Sequence, residues 1–175
     1  MDFREKIMNL LIRNITAEDP VIMAASFIAI GWNKTILQFQ QYHSLHEEGL
    51  RQVLVAFADN AFCGYINIVW EAEYLPFKDA SIPELQDFNV LPSYQNRGIG
   101  TKIMEEAESI IASRSDKVGI GVGMTSDYGA AQRLYVKRGY IPDGRGLSWN
   151  NCELSYGDKV AVDDDLVLHL VKQLR

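Results

Sequence analysis

Apolar residues recur along this chain with two periods, and the switches between them outline a succession of strands and helices. Leu10–Ile15 is a short apolar-rich run that reads as a first strand. Thr16-Ala17-Glu18-Asp19-Pro20 carries the marks of a helix start, with Thr16 or Asp19 as cap and Pro20 at the first helical position. That helix is expected to run to about Ile30, where Gly31 ends it, and a second is expected over Lys34–Glu48, closed by Gly49. Arg51–Ala58 and Ala61–Trp70 are β-rich runs separated only by Asp59-Asn60, a hairpin signature. Gly64 inside the second run points to a bulge or a close backbone approach. Glu71–Pro83 holds Pro76 and Pro83 and no clear period, so it reads as a loop. The apolar-rich segment Leu85–Leu91 stops at Pro92, and from Ile99 the period becomes helical: Ile99, Ile103, Ala107 and Ile110/Ile111 recur, with Lys102, Glu105, Glu106 and Glu108 between them.

Val118–Met124 alternates strictly, with Val118, Ile120, Val122 and Met124 on one face and Gly119, Gly121 and Gly123 on the other. A strand with one bare face costs stability, so a helix or a ligand is expected to approach it. Helix packing is favoured for Gly119, and Gly121 and Gly123 stay open. Ser126–Tyr140 reads as a short helix capped by Ser126 or Asp127 and ended by Gly139. Tyr140-Ile141 opens the next strand, Gly144-Arg145-Gly146 is a turn or loop, and Leu166–Val171 is the last strand.

The polar turn Ser93-Tyr94-Gln95-Asn96-Arg97-Gly98-Ile99-Gly100 sits where a strand hands over to a helix. The first backbone N–H groups of such a helix lack partners within it, and the helix dipole adds partial positive charge there. The turn therefore suits a phosphate or pyrophosphate. Gly98 and Gly100 keep side-chain bulk away from an approaching anion, and glycine adopts positive φ cheaply. The pattern Gln-x-x-Gly-x-Gly fits neither the dinucleotide nor the Walker fingerprint.

Composition narrows the field. The 175 residues are expected to form one domain, residues 1–175, with a real core. A net charge of −6 without a basic cluster argues against nucleic-acid binding. Cys63 and Cys152 are far apart with no Cys-x-x-Cys pairing, which argues against a disulfide framework or a zinc site. The longest apolar-rich run, Val21–Trp32, is too short to span a bilayer, and the acids near Met1 are unlike a signal peptide. No membrane partner and a cytoplasmic location are expected. His43 and His46 lie beside Glu47 with no third ligand apparent, and Asp163–Asp165 reads as a solvated turn, so no metal is expected.

The turn closely resembles the pyrophosphate loop of the GNAT acetyltransferase superfamily, Gln/Arg-x-x-Gly-x-Gly/Ala. A second stretch strengthens the resemblance: Ala131-x-x-Leu134-Tyr135-x-Lys137-x-Gly139-Tyr140 matches the family's Asn-x-x-Ala-x-x-Leu-Tyr-x-Lys-x-Gly-Phe from Ala131 onward. Tyr140 replaces Phe, and Tyr128 stands at the Asn position, whose role is not carried over. The two signatures occur in family order, and the likeness runs from Leu10 to Leu174. It implies an α/β (α+β) GNAT fold: a mixed, mostly antiparallel sheet of about six or seven strands flanked by about four helices, whose central strands splay for a pantetheine arm. It also implies acetyl-CoA as cosubstrate, no metal and a small-molecule or peptide amine as acceptor, and it allows a homodimer.

On the same resemblance, Gln95, Asn96, Arg97, Gly98, Ile99, Gly100 and Thr101 hold the diphosphate, chiefly through backbone N–H groups from Arg97 to Thr101. The backbone N–H of Val90 serves the developing oxyanion, and Tyr135 lies beside the thioester sulfur as the acid. Glu84 stands where protein-acetylating members carry a catalytic glutamate. Glu71, Glu73 and Asp87 are rivals as base, and the resemblance also allows a water chain in place of a carboxylate. Glu84 and Asp87, three residues apart on a strand, are expected to face opposite ways unless a bulge intervenes. The implied activity is direct acetyl transfer to a primary amine in a ternary complex. The alternative is an acyl-CoA-binding or sensing domain of the same fold without turnover.

Overall fold

The computed structural model describes residues 8–175. The elements follow as β1 (Leu10–Asn14), α1 (Asp19–Ala29), α2 (Ile36–Glu47), β2 (Arg51–Ala58), β3 (Ala61–Val69), α3 (Leu75–Asp79), β4 (Glu84–Val90), α4 (Ile99–Ala112), β5 (Lys117–Gly123), α5 (Gly129–Lys137), β6 (Ile141–Trp149), β7 (Cys152–Glu153) and β8 (Leu166–Gln173). The strands form one mixed sheet of eight in the order β1-β2-β3-β4-β5-β8-β6-β7. β5/β8, β6/β8, β6/β7 and β1/β2 are antiparallel, whereas β4 and β5 are parallel. This is the expected mixed α/β architecture. The surplus over the expected count is β7, two residues long, and α3, five residues within the stretch read as a loop. Pro76 in the first turn of α3 is compatible with a helix start, and burial of Tyr74 and Phe77 fixes the short helix in place.

The chain forms two compact units, through which β3, β4 and α4 run in turn. The first holds the described residues up to Asn67 together with Asp87–Glu106. Its core is Ile15, Met23, Phe27, Phe39, Val53, Val55, Phe62, Tyr65 and Leu91. The hairpin is as expected: Asp59 and Asn60 have φ of +47° and +68°, the twist that a two-residue link between right-twisted strands needs. A Cβ on Gly64 would lie 2.6 Å from the Asn89 carbonyl oxygen, so this glycine serves a close backbone approach. α2 is capped by Thr35, whose side chain accepts from the Gln38 N–H, but the start of α1 departs from expectation. Neither Thr16 nor Asp19 caps α1 through its side chain; the buried Asp19 carboxylate accepts from the Thr16 N–H (2.7 Å) and binds Arg13 through two nitrogens (2.6 and 2.8 Å). His46 Nδ1 accepts from the Val53 N–H, which ties α2 to β2.

The second unit holds Ile68–Gln86 and Ala107–Arg175. β5 pairs with β8 from Lys117↔Gln173 to Gly123↔Val167. The glycine face of β5 is filled by aromatic rings: a Cβ would meet Phe77 of α3 at 2.3 Å from Gly119 and Tyr128 at 2.5 Å from Gly123. The approach expected at Gly119 is thus made by a helix side chain, and Tyr128, at the family's Asn position, is engaged in covering Gly123. The buried Glu108 of α4 gathers Arg138 (2.7 Å), Lys172 (2.6 Å) and the Tyr140 hydroxyl (3.1 Å), a dense and satisfied ionic cluster.

Two further expectations are corrected in this unit. Gly144-Arg145-Gly146 is a bulge inside β6, because both glycines take positive φ (+89° and +77°) and shift the register against β8 between Pro142 and Leu147. Ser126–Tyr128 forms a separate 3-10 turn, and neither Ser126 nor Asp127 caps α5, since Asp127 is bonded instead to the Thr125 hydroxyl. The Asp163–Asp165 turn is held by the Trp149 indole N–H and the Asp165 N–H, both donating to Asp163. No described helix is long and apolar enough to cross a membrane.

Candidate active site

The stretch from β4 into α4 belongs to the first unit. Leu91, buried, donates its N–H to the Cys63 carbonyl and anchors the end of β4. A single 3-10 turn, Pro92–Tyr94, then leads to an extended Gln95. The Gln95 side chain donates to the Val90 carbonyl at 2.9 Å, so it braces the loop against the strand it left. Asn96 and Gly98 take positive φ, +60° and +78°, and aim the backbone into α4. Buried Ile99 and Ile103 seat the helix.

The first backbone bond into α4 runs from the Lys102 N–H to the Gly98 carbonyl at 3.1 Å. The amides of Gly98, Ile99, Gly100 and Thr101 precede that bond and have no partner within the helix. The first turn of α4 contains no acidic residue to neutralise its positive end. Space over Gly98 is open, with nothing within 4 Å of where a Cβ would sit. The chain thus presents a cluster of donors with open space beside them, which fits a diphosphate. Gly98 is required by its φ rather than by crowding, and Gly100 lies in the first turn of α4. The Arg97 guanidinium lies 5.8 Å from the Tyr94 ring centroid and is exposed.

Tyr135 lies on α5 in the second unit, 5% exposed, with the Tyr140 ring 5.9 Å away. Burial, with a smaller contribution from Tyr128, pushes its phenol well above the ordinary value, so it keeps its proton at neutral pH.

Glu84, also in the second unit, opens β4 and is 5% exposed. Its Oε2 accepts from Gln86 Nε2 at 2.8 Å, and its Oε1 lies 3.9 Å from His169 Nε2. That separation is within ion-pair range, but burial lowers the His169 pKa to about 4, so at neutral pH the carboxylate faces a neutral imidazole. His169 is held by stacking on Tyr74, with centroids 3.6 Å apart, and by Ser148 Oγ 3.1 Å from Nδ1. Nothing in the sequence singled out His169, which approaches Glu84 through the long-range pairing of β8 with β5.

The rival carboxylates are differently placed. Asp87 has φ of +46°, so strict alternation does not hold through β4, and its carboxylate is engaged by Lys34, Tyr42, Tyr65 and Asn89. Glu71 is exposed and paired with Lys78 at 2.5 Å, which holds its carboxyl below the usual range. Glu73 is exposed, with Asn151 Nδ2 3.5 Å away. Among the described residues no group of three or more His, Cys, Asp or Glu side chains is arranged to hold a metal ion.

Solved structures share the fold at low identity. An acetyltransferase of the GNAT family from Streptococcus pneumoniae is 18% identical, with a TM-score of 0.65, covering 94% of this chain and 99% of that one. PaiA N-acetyltransferase from Thermoplasma acidophilum, solved in complex with coenzyme A, is 18% identical, with a TM-score of 0.64 over 95% of this chain and 99% of its own. Spermidine/spermine N-acetyltransferase SpeG from Vibrio cholerae, solved with manganese ions, is 13% identical, with a TM-score of 0.64 over 94% and 92%. No curated protein sequence matches the chain. The sequence model of the acetyltransferase (GNAT) domain matches residues 49–142, more than half of the chain, and with that match the chain belongs to the GNAT acetyltransferase family.

Proposed function

We propose that this chain is an acetyl-CoA-dependent N-acetyltransferase that acts as a single domain over residues 1–175 and transfers acetyl directly to a primary amine in a ternary complex. The observation that carries the reading is the start of α4, where the amides of Gly98 to Thr101 lie ahead of the first helical hydrogen bond and no acid of the first turn neutralises them. Coenzyme A in the Thermoplasma relative and the amines named for the Vibrio one support cofactor and acceptor class.

In this reading acetyl-CoA supplies an activated acyl thioester, and its diphosphate rests on the backbone N–H groups from Arg97 to Thr101. Gln95 braces the loop, and Asn96 sets its turn. The backbone N–H of Val90 is offered to the carbonyl oxygen as negative charge develops on it. The attacking amine must be neutral, which for a pKa near ~10 costs roughly 4 kcal/mol at pH 7 unless a base takes the proton. Glu84, buried and with the His169 imidazole 3.9 Å from its Oε1, takes that role. Tyr135, a phenol that burial keeps further from ionisation still, donates its proton to the departing thiolate. The free thiols of Cys63 and Cys152 accord with a reducing, cytoplasmic setting.

Thiol release from acetyl-CoA, followed across a panel of primary amines, tests the reading. Turnover of at least one amine is expected, with Tyr135→Phe lowering kcat far more than cofactor affinity. Coenzyme A uptake without turnover of any amine identifies a binding or sensing domain instead, and no uptake at all removes the cofactor assignment.

A further inference from the structure

Asp87 is a carboxylate already serving an ammonium ion. Its Oδ1 accepts from Lys34 Nζ at 2.7 Å and from Asn89 Nδ2 at 2.9 Å. Its Oδ2 accepts from the Tyr42 hydroxyl at 2.9 Å and from the Tyr65 hydroxyl. The same Lys34 nitrogen lies 5.7 Å from the centroid of Phe27 and 5.8 Å from that of Tyr65. Burial, with the Asp87 charge adding to it, pushes Tyr42 up to about 12 and Tyr65 well above its ordinary value, so both phenols stay protonated and donate. A negative oxygen flanked by aromatic faces is the chemistry that recognises alkylammonium groups.

Two features suit exchange of the occupant. The Lys34 side chain enters from the segment between α1 and α2 on a flexible stem, and it is 19% exposed, with Asp87 22% exposed, so the cage is open to solvent. The cage wall, by contrast, is fixed: Phe27 and Tyr65 belong to the buried core, and Tyr65 packs edge-on against Phe27 and Phe39. Asp87 itself has φ of +46°, in the left-handed region that Asp and Asn adopt more readily than most residues.

We propose that Asp87, Tyr42, Tyr65, Asn89 and Phe27 form a binding site for a primary alkylammonium group, which Lys34 fills as the chain's own competing occupant. The cage offers a carboxylate and aromatic faces, which bind an ammonium ion, whereas the nitrogen that attacks a thioester must be neutral. It therefore takes the non-reacting end of its ligand, and the ligand class is a diamine or polyamine. That last step rests on the acetyltransferase reading above; the cage itself does not.

Calorimetric titration with putrescine and with n-butylamine, in the absence of acetyl-CoA, tests the cage. If Lys34 occupies it about nine-tenths of the time, Lys34→Ala tightens binding of both probes about tenfold. Asp87→Asn on the Lys34→Ala background abolishes the binding, and Tyr42→Phe on that background weakens it several-fold, which provides a readout should the Asp87 variant fail to fold. Equal affinity in wild type and Lys34→Ala overturns the proposal, as does binding indifferent to both Asp87→Asn and Tyr42→Phe. Cage binding without coenzyme A uptake defeats the acetyltransferase reading alone, and coenzyme A uptake and amine turnover without cage binding defeats the cage alone.

Discussion

The two carboxylates of β4 belong to one short strand and have opposite surroundings. Glu84 is buried, with Gln86 and a neutral His169 beside it. Asp87, three residues on, takes an ammonium, two phenols and an amide on its two oxygens. In the proposed reading Glu84 takes the proton of the attacking amine and Asp87 anchors an ammonium. An odd spacing along a strand already points the two side chains to opposite faces, and at Asp87, where φ is +46°, the backbone also departs from regular strand geometry.

The largest test of that division is kinetic. Glu84→Gln is expected to lower kcat by roughly 10²–10³-fold with the KM for a diamine changed little, as for a lost general base. Asp87→Asn is expected to raise the KM for the diamine more than it lowers kcat. Steady-state rates with putrescine distinguish the two, and equal kcat losses from both variants would erase the division of labour.

A second test uses pH. His169 has a folded pKa near 4 and an unfolded value near 6.5, lowered chiefly by burial. Between those values the unfolded chain binds the extra proton, so stability rises with pH through this window and is lost as pH falls from about 6.5 towards 4. The loss from this residue is on the order of 3 kcal/mol at most. Urea midpoints measured from pH 7 to pH 4 should show the slope in wild type, and His169→Gln should flatten it. An unchanged slope in the variant would remove the neutral imidazole from beside Glu84.

How much of this was legible in the sequence follows the range of the interactions. The Asp59-Asn60 hairpin, the Gly98 turn and the period of α4 depend on neighbours in the chain, and each stands where the local pattern placed it. Gly64 was readable as a close approach, although its partner, the Asn89 carbonyl, was not. α3 escaped notice because five residues show no period; what stabilises it is Phe77 filling the void over Gly119, forty-two positions away. The bulge in β6 reads as a turn or loop in the sequence because glycines that take positive φ serve both. His169 and Lys34 carried no local mark at all. Lys34 meets Asp87 across 53 positions, through the packing of α1 and α2 around Phe27 and Phe39.

Backbone geometry at the second carboxylate can be broken without touching its side chain. Gly64→Ala places a Cβ 2.6 Å from the Asn89 carbonyl, where the obstacle is main chain and cannot rotate away. The expected destabilisation is about 2 kcal/mol, read as a lower urea midpoint, with alkylammonium binding weakened because Asn89 carries one of the donors to Asp87. A midpoint within error of wild type would mean that β3 and β4 have room to separate there.

The smallest effect separates anchoring from packing. Tyr42→Phe removes one of the two phenol donors on Asp87 Oδ2 and leaves Tyr65 in place. Its ring still packs against Phe39 and Tyr65, with centroids 6.1 and 6.4 Å away, so the expected cost is about 1 kcal/mol, that of one hydrogen bond to a charged acceptor on a half-buried residue. The same change made on Asp87→Asn should cost less, because the charge that strengthens the bond is gone. A double-mutant cycle on urea stability measures the difference. A coupling near zero would mean that Tyr42 serves only as a wall of the core and that Asp87 is held by Tyr65, Asn89 and Lys34 alone; a clear coupling, absent between Tyr42 and Glu84, would locate the anchoring chemistry of β4 at Asp87.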